Sequence, residues 1–336
     1  MDTYAAPQPN PLLILNTMNA YQQSLALKAA VELDVFTQID NGATTASAIA
    51  ERTGASERGI RILCDFLAIQ GLLTKQDGAY ALTLDSRVFL SQRSPACMAS
   101  AALFLVHPLH LQNYVRLTDA VRQGGTVNAQ GNMEAEAEVW VDFARWMAPL
   151  SAAGAAALAQ IVAGHGGPMK VLDVAAGPGA YGIEIAKLNP EAEIWAQDWG
   201  NVLVVSREHA TKAGVGDRFH TIAGSAFEAD LGSGYDWVLL PNFLHHFDHA
   251  TNVGLLRRLH AALKPGGRVA TVEFVPNEDR VTPPVPAAFA MMMLGSTPAG
   301  DAYTFRELDA MFREAGFGAS TIRDLPPQSL LLTDYA

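Results

Sequence analysis

Apolar and polar positions along the 336 residues follow two different rhythms, and the change falls near residue 165. Residues 12–94 read as short helices followed by a hairpin. One helix is expected over 13–33, a second over 45–53 with Thr45 as N-cap, and a third after Ser56. Residues 71–75 and 80–83 then read as two strands around Asp77-Gly78. Residues 98–165 carry helical spacing throughout. Segments are expected at 101–106 and 109–121, with a break at Gly124-Gly125. Another runs from about 134 through Trp140, Phe143, Trp146 and Met147, and an alanine-rich one covers 152–162. After residue 168 the order becomes strand, helix, strand, helix. Strands read at 170–175, 193–197, 218–223, 237–241 and 268–273, with a last pair near 319–324 and 329–333. Helices read at 181–188, 202–213, 252–263 and 304–315. This alternation predicts an α/β domain with a mostly parallel sheet and helices on both faces. The expected segments are 1–100, 101–165 and 166–336, the first 11 residues being a proline-containing lead.

Ligands of such sheets sit beyond the C-terminal strand ends. There the chain reads Val171-Leu-Asp-Val-Ala-Ala-Gly-Pro-Gly-Ala-Tyr-Gly182. An apolar run ends in a glycine turn and a helix starts. Glycines allow close backbone approach, and the helix start presents unpaired N–H groups to an anion. Asp198 follows about 20 residues on, where an acceptor for ribose hydroxyls is expected. Gly177, Gly179 and Gly182 match the dinucleotide fingerprint G-x-G-x-x-G. Asp173 speaks against a dinucleotide, because a carboxylate there would face the pyrophosphate. It suits a cofactor with a cationic amino group, such as S-adenosyl-L-methionine. The plain alternative is a βα turn without a ligand.

Composition narrows the partners. The formal charge of −11 disfavours nucleic acid, and 49% hydrophobic residues suffice for sizeable cores. Cys64 and Cys97 read as buried thiols, which favours a reducing cytoplasm. The N-terminus lacks signal-peptide features, and runs such as 101–106 are too short to span a bilayer. The helix, helix, hairpin order is a winged-helix pattern, which raises a DNA-binding regulator as a rival. Its third helix, however, matches Arg58 and Arg61 with Glu57 and Asp65 and is rich in Ile60, Ile62, Leu63, Phe66, Leu67 and Ile69. That composition points to a subunit interface instead.

The second constellation is Pro241-Asn-Phe-Leu-His-His-Phe-Asp248, after the fourth strand. His245 and His249 stand four apart, a spacing that can bind zinc. The metalloprotease pattern needs Glu where this chain has His246, so no metal is expected. A histidine capping a loop is the bland reading. A general base is the chemical one, since imidazole titrates near neutrality. Glu273 ends the fifth strand, a neighbour of the fourth, and is placed to orient His245.

Taken together, these motifs resemble the small-molecule S-adenosylmethionine-dependent O-methyltransferases, the plant caffeate and acetylserotonin type with bacterial relatives. The likeness runs from about residue 12 to the end and includes Lys264-Pro-Gly-Gly-Arg268 and Ala315-Gly-Phe317. It implies a winged-helix dimerisation domain, a helical segment contributing to the acceptor pocket, a Rossmann-like class I methyltransferase domain and a cytoplasmic homodimer. The implied cofactor contacts are Asp173, Gly177, Gly179, Asp198, Trp199, Ser225, Ala226, Phe227, Asn242 and Ser151. The implied acceptor contacts are Phe143, Trp146, Met147 and Met292, with Met291 and Met293 as further candidates. His245 and Glu273 are the implied base and its partner. The chain departs from the family pattern at four places. Ala175 stands for Gly, Ser225 for an adenine-binding Asp, Pro241 for a Lys, and Ala302 for a second Glu beside the base. The expected function is O-methylation of a small phenolic or aromatic molecule. Relatives of this fold with decarboxylating, hydroxylating or rearranging chemistry are the alternative.

Overall fold

Alternation of side chains along the strands sorts the core into two faces, and the site follows from where those strands end. The computed structural model describes residues 9–128 and 134–336, so most of the expected N-terminal lead lies outside the described residues. The chain divides into two units, Met1–His107 and Pro108–Ala336.

The first unit holds α1 (Leu12–Glu32), α2 (Val35–Asp40), α3 (Ala46–Thr53), α4 (Glu57–Ile69), the hairpin β1 (Leu73–Gln76) and β2 (Ala79–Leu82), α5 (Leu84–Phe89) and α6 (Ala101–Leu105). Thr45 Oγ1 accepts from Ala48 N and Ser56 Oγ from Gly59 N, so both expected N-caps form. Phe36, Ile49, Ile60, Leu67, Leu73 and Tyr80 fill the core. α4 is more one-sided than its composition suggested: Ile60, Cys64 and Leu67 are buried, while Ile62 and Ile69 are exposed. α2 and α5 are six residues each, too short to print a helical period.

The second unit begins with α7 (Pro108–Val115), α8 (Leu117–Gln123), α9 (Glu138–Trp146) and α10 (Ala148–Val162). The single helix expected over 109–121 is therefore two, broken at Arg116. Then come β3 (Met169–Val174), α11 (Ala180–Leu188), β4 (Ala192–Asp198), α12 (Gly200–Lys212), β5 (Phe219–Ala223), β6 (Tyr235–Pro241), α13 (His249–Ala262) and β7 (Leu263–Glu273). α14 (Pro284–Ser296), α15 (Phe305–Glu314), β8 (Phe317–Leu325) and β9 (Gln328–Tyr335) complete it. α14 has no counterpart in the sequence reading, because its residues are apolar on every side.

The sheet order is β5-β4-β3-β6-β7-β9-β8. The first five strands are parallel, and β9 runs antiparallel to β7 and β8. Strand order reverses between β3 and β6, the crevice where open α/β sheets bind ligands. Val171, Ile194, Trp237 and Leu239 pack with α10 and α11 residues on one face. Leu172, Val174, Val238 and Leu240 pack with α13 and α15 residues on the other. Asp173 falls on the α11 face. Gly182 lets α11 lie close there: a Cβ on it would stand 2.6 Å from Ile194 Cγ2 and 3.1 Å from Asp173 Oδ2. No helix among the described residues is long and apolar enough to cross a membrane.

Gly182→Ala should lower stability by about 1–3 kcal/mol through overpacking. Urea unfolding checks this, and an unchanged midpoint would contradict the close helix–strand contact.

Candidate active site

The glycine turn is held from behind by β4 and α12. Gly177 N donates to Asp198 Oδ2 at 2.8 Å, and Trp199 N to Asp198 Oδ1 at 2.7 Å. Ser206 Oγ donates to Gly177 O at 2.6 Å, and His209 Nδ1 donates to Pro178 O at 3.0 Å. Gln197 joins two loops. Its Nε2 donates to Gly224 O at 2.6 Å, its Oε1 accepts from Ala175 N at 3.3 Å, and its carbonyl accepts from Ala176 N at 3.0 Å. Nothing in the sequence marks this residue beyond a glutamine in an apolar strand.

Gly177 and Gly179 have φ of 54° and 77°. A Cβ on Gly177 would meet Phe143 Cε1 at 3.2 Å, so Phe143 lies over the turn. At Gly179 a Cβ would meet Phe219, Ile183 and Ser206, so this glycine serves the turn and its packing within the protein. Ala175 takes φ 51°, a left-handed conformation costing a residue with a Cβ about 1–2 kcal/mol.

Asp173 is fully buried. Its Oδ2 accepts from Gly182 N at 3.1 Å, while Oδ1 is buried with no hydrogen-bond partner. Burial pushes its carboxyl up to about 8, against which the Gly182 amide acts. Burial likewise pushes Asp198 up to about 6, although two backbone amides donate to it. An orphaned buried carboxylate oxygen beside a glycine turn fits a cofactor bearing an ammonium, and Asp198 fits its ribose. Ser225 Oγ accepts from Phe227 N at 3.2 Å and caps the turn that carries buried Ala226. Asn242, with φ 55°, follows β6 and accepts from Gln328 Nε2.

His245 and Glu273 meet across the ends of β6 and β7. Pro241 and Val272 are in register, so Asn242 and Glu273 emerge side by side. Glu273 is 3% exposed and His245 5%. Glu273 Oε2 accepts from His245 Nδ1 at 2.6 Å. Oε1 accepts from the backbone N of Phe243, Leu244 and His245 at 3.0, 2.9 and 3.4 Å. The carboxylate thus sits at the start of the short turn Leu244–His246. With Nδ1 donating, Nε2 carries the lone pair a base needs.

Other contacts pin the same turn. Asn252 Nδ2 donates to Leu244 O at 2.9 Å, Tyr303 Oη to Phe247 O at 2.5 Å, and Asp301 N to His245 O at 3.0 Å. Gly300 packs so tightly that a Cβ would stand 2.2 Å from His245 O. Ala302 is buried. The Phe289 ring lies 4.8 Å from that of His245, and Phe274 stacks on Phe289 at 4.1 Å. No motif in the sequence marks Gly300 or Phe289 for these roles. His246 packs 4.3 Å from His245 and edge-on to Trp140 at 5.6 Å. Burial and the His245 charge hold its pKa well below the usual imidazole range. His249 instead pairs with Glu314 at 2.9 Å on the surface, away from His245. No group of three or more His, Cys, Asp and Glu among the described residues is placed to hold a metal ion.

The remaining expected contacts lie on α9, α10 and α14. Trp146 ends α9, and Met147 is the junction between α9 and α10. Ser151 lies in the first turns of α10, half-buried. On α14, half-buried Met292 stands one turn from Phe289, Met293 is buried and Met291 is 48% exposed, which places Met291 on the solvent side.

Residues 114–318 match the family model for an O-methyltransferase domain, and 15–92 that for an O-methyltransferase dimerisation domain. The 3-hydroxy-5-methyl-1-naphthoate 3-O-methyltransferase of Streptomyces sahachiroi is 29% identical over 310 residues, covering 91% of this chain and 89% of its own. A crystal structure from Nostoc punctiforme PCC 73102, assigned to the O-methyltransferases, is 48% identical with a TM-score of 0.93, covering 98% of this chain and 100% of that one. PigF of Serratia, solved with S-adenosylhomocysteine, is 25% identical with a TM-score of 0.84, covering 97% and 100%.

The folded protein holds the Asp173 proton more tightly than the unfolded chain does, so this group's stabilisation is lost as pH rises from about 4 to about 8. Ligand-free wild type should therefore lose Tm relative to Asp173→Asn between about pH 5 and pH 8. Parallel Tm–pH curves for the two proteins would refute the raised carboxyl.

Proposed function

The chain belongs to the O-methyltransferase family, and on that premise we propose that His245 is the general base of an S-adenosyl-L-methionine-dependent O-methylation of a small phenolic or aromatic acceptor. The cofactor supplies an electrophilic methyl group on a sulfonium. Asp173, the 175–179 turn, Asp198, Trp199, Asn242, Ser151 and the 225–227 turn are its proposed holders. The observation that carries the base assignment is the grip of Glu273 on both the imidazole and the backbone of its turn. A base fixed in tautomer and direction removes a proton without first searching for its geometry. A phenol, ionising near pH 10, suits an imidazole base better than an alkyl alcohol does. Phe143, Trp146, Met147 and Met292 are the proposed acceptor wall, with Phe289 added beside the base. Neutral His246 is a packing neighbour in this reading.

We further propose a cytoplasmic homodimer built through the first unit, whose helices and hairpin form a winged-helix module. The dimerisation-domain match supports the pairing, as does the surface of α1. Leu13, Met18 and Tyr21 are 77%, 67% and 62% exposed in the single chain, an apolar stretch that calls for cover.

His245→Ala should lower kcat on an accepted phenol by about 10²–10⁴ and leave cofactor affinity near normal. Glu273→Gln should be damaging as well, since Ala302 offers no second carboxylate, and His246→Ala should be mild. If His246→Ala is the most damaging, the roles are assigned wrongly. If all three keep wild-type rates, the family fold here serves other chemistry.

Light scattering at micromolar concentration should report a dimer, and Leu13→Asp with Met18→Asp should weaken it. A soluble wild-type monomer would rule the pairing out.

A further inference from the structure

Among the residues that α13 buries, one is polar. Asn252, Leu255, Leu256 and Leu259 stand at i, i+3, i+4 and i+7 on the helix, and all four are fully buried. The three leucines pack with the second face of the sheet, and an apolar side chain at 252 would continue their stripe. Instead a carboxamide turns toward the segment that carries His245. Its Nδ2 donates to Leu244 O at 2.9 Å and to Phe247 O at 3.3 Å, the carbonyls on either side of the two histidines. Its Oδ1 is buried and takes no hydrogen bond from the described residues.

Satisfying those two carbonyls does not require this residue. Leu244 O also accepts from Phe247 N at 3.2 Å, and Phe247 O from Tyr303 Oη at 2.5 Å. Asn252 thus supplies a second donor to oxygens already paired and leaves its own oxygen open. On those terms a buried amide is worth less to the fold than an apolar side chain of the same shape. A local rule broken beside a reactive group is the mark of a position held for function. What the amide adds is geometry. Glu273 Oε1 gathers the amides that open the turn, and Asn252 ties the carbonyl that starts it to the carbonyl that follows it. With both carbonyls bound to one nitrogen, the backbone between them keeps one direction, and that backbone carries the imidazole.

We propose that Asn252 is a positioning residue for His245. It holds the turn from the carbonyl side as Glu273 holds it from the amide side, so that Nε2 stays aimed at the acceptor. This rests on the reading of His245 as the general base.

Steady-state kinetics on an accepted phenol test it, with Asn252→Leu made in the wild type and in the His245→Ala background. In the wild type, Asn252→Leu should lower kcat by about 10–100-fold and leave KM within about twofold. In the His245→Ala background it should cost less than about twofold, because no base is left to aim. The loss should also shrink from about pH 7 to about pH 9, as the phenol begins to ionise without help. Wild-type kcat in Asn252→Leu would overturn the proposal. An equal fall in both backgrounds, or a fall that is constant with pH, would overturn it too by placing the effect outside the base. Should Asn252→Leu fold poorly, Asn252→Ala makes the same comparison, and the same outcomes decide. If His245→Ala itself keeps the wild-type rate, the base reading falls and takes this inference with it. If His245→Ala is slow and the Asn252 variants are not, this inference alone falls.

Discussion

Everything at the centre of the second unit leans on one buried carboxylate. Glu273 has two oxygens, and they serve different masters. One fixes a side chain, the other gathers the amides that open the turn bearing that side chain. A negative charge at the start of a helical turn is favourable for the same reason that phosphates bind there. A single charge thus sets backbone and imidazole together. It stands where it does because β6 and β7 are parallel neighbours in register, so the sheet itself aims the pair.

How far this was legible in the chain depends on what each residue needs in order to be recognised. Asp198 and Glu273 end their strands, Asp173 stands one residue before the end of its own, and His245 follows shortly after β6. Strands print themselves as apolar runs, and chain order then fixes which ends meet. The β3, β4 and β6 boundaries accordingly fall within two residues of those expected, and the Thr45 and Ser56 caps form as their side chains require. Gln197, Phe289 and Gly300 gain their roles only when separate segments meet. Gln197 joins two loops, and Gly300 abuts a carbonyl some 55 residues earlier in the chain. α14, apolar on all sides, has no period to betray it, and Arg116 breaks a helical pattern that looks continuous.

The departures from the family pattern now have physical content. Ala175 keeps a left-handed backbone where glycine would adopt it freely, and the Gln197 side chain accepting its amide helps hold it there. Ser225 turns its oxygen to a neighbouring amide, so its turn is built from within. Ala302 is buried and brings no second carboxylate to the His245 turn.

The unanswered oxygen of Asp173 has a consequence for how long a molecule of this protein lasts. A native state with a buried acceptor left open is less stable empty than filled, and a ligand that answers it adds stability in proportion to the logarithm of its concentration. Empty molecules open more often, and opened molecules are what proteases degrade. On this linkage, resistance to proteolysis is expected to rise with the concentration of a ligand that fills the site.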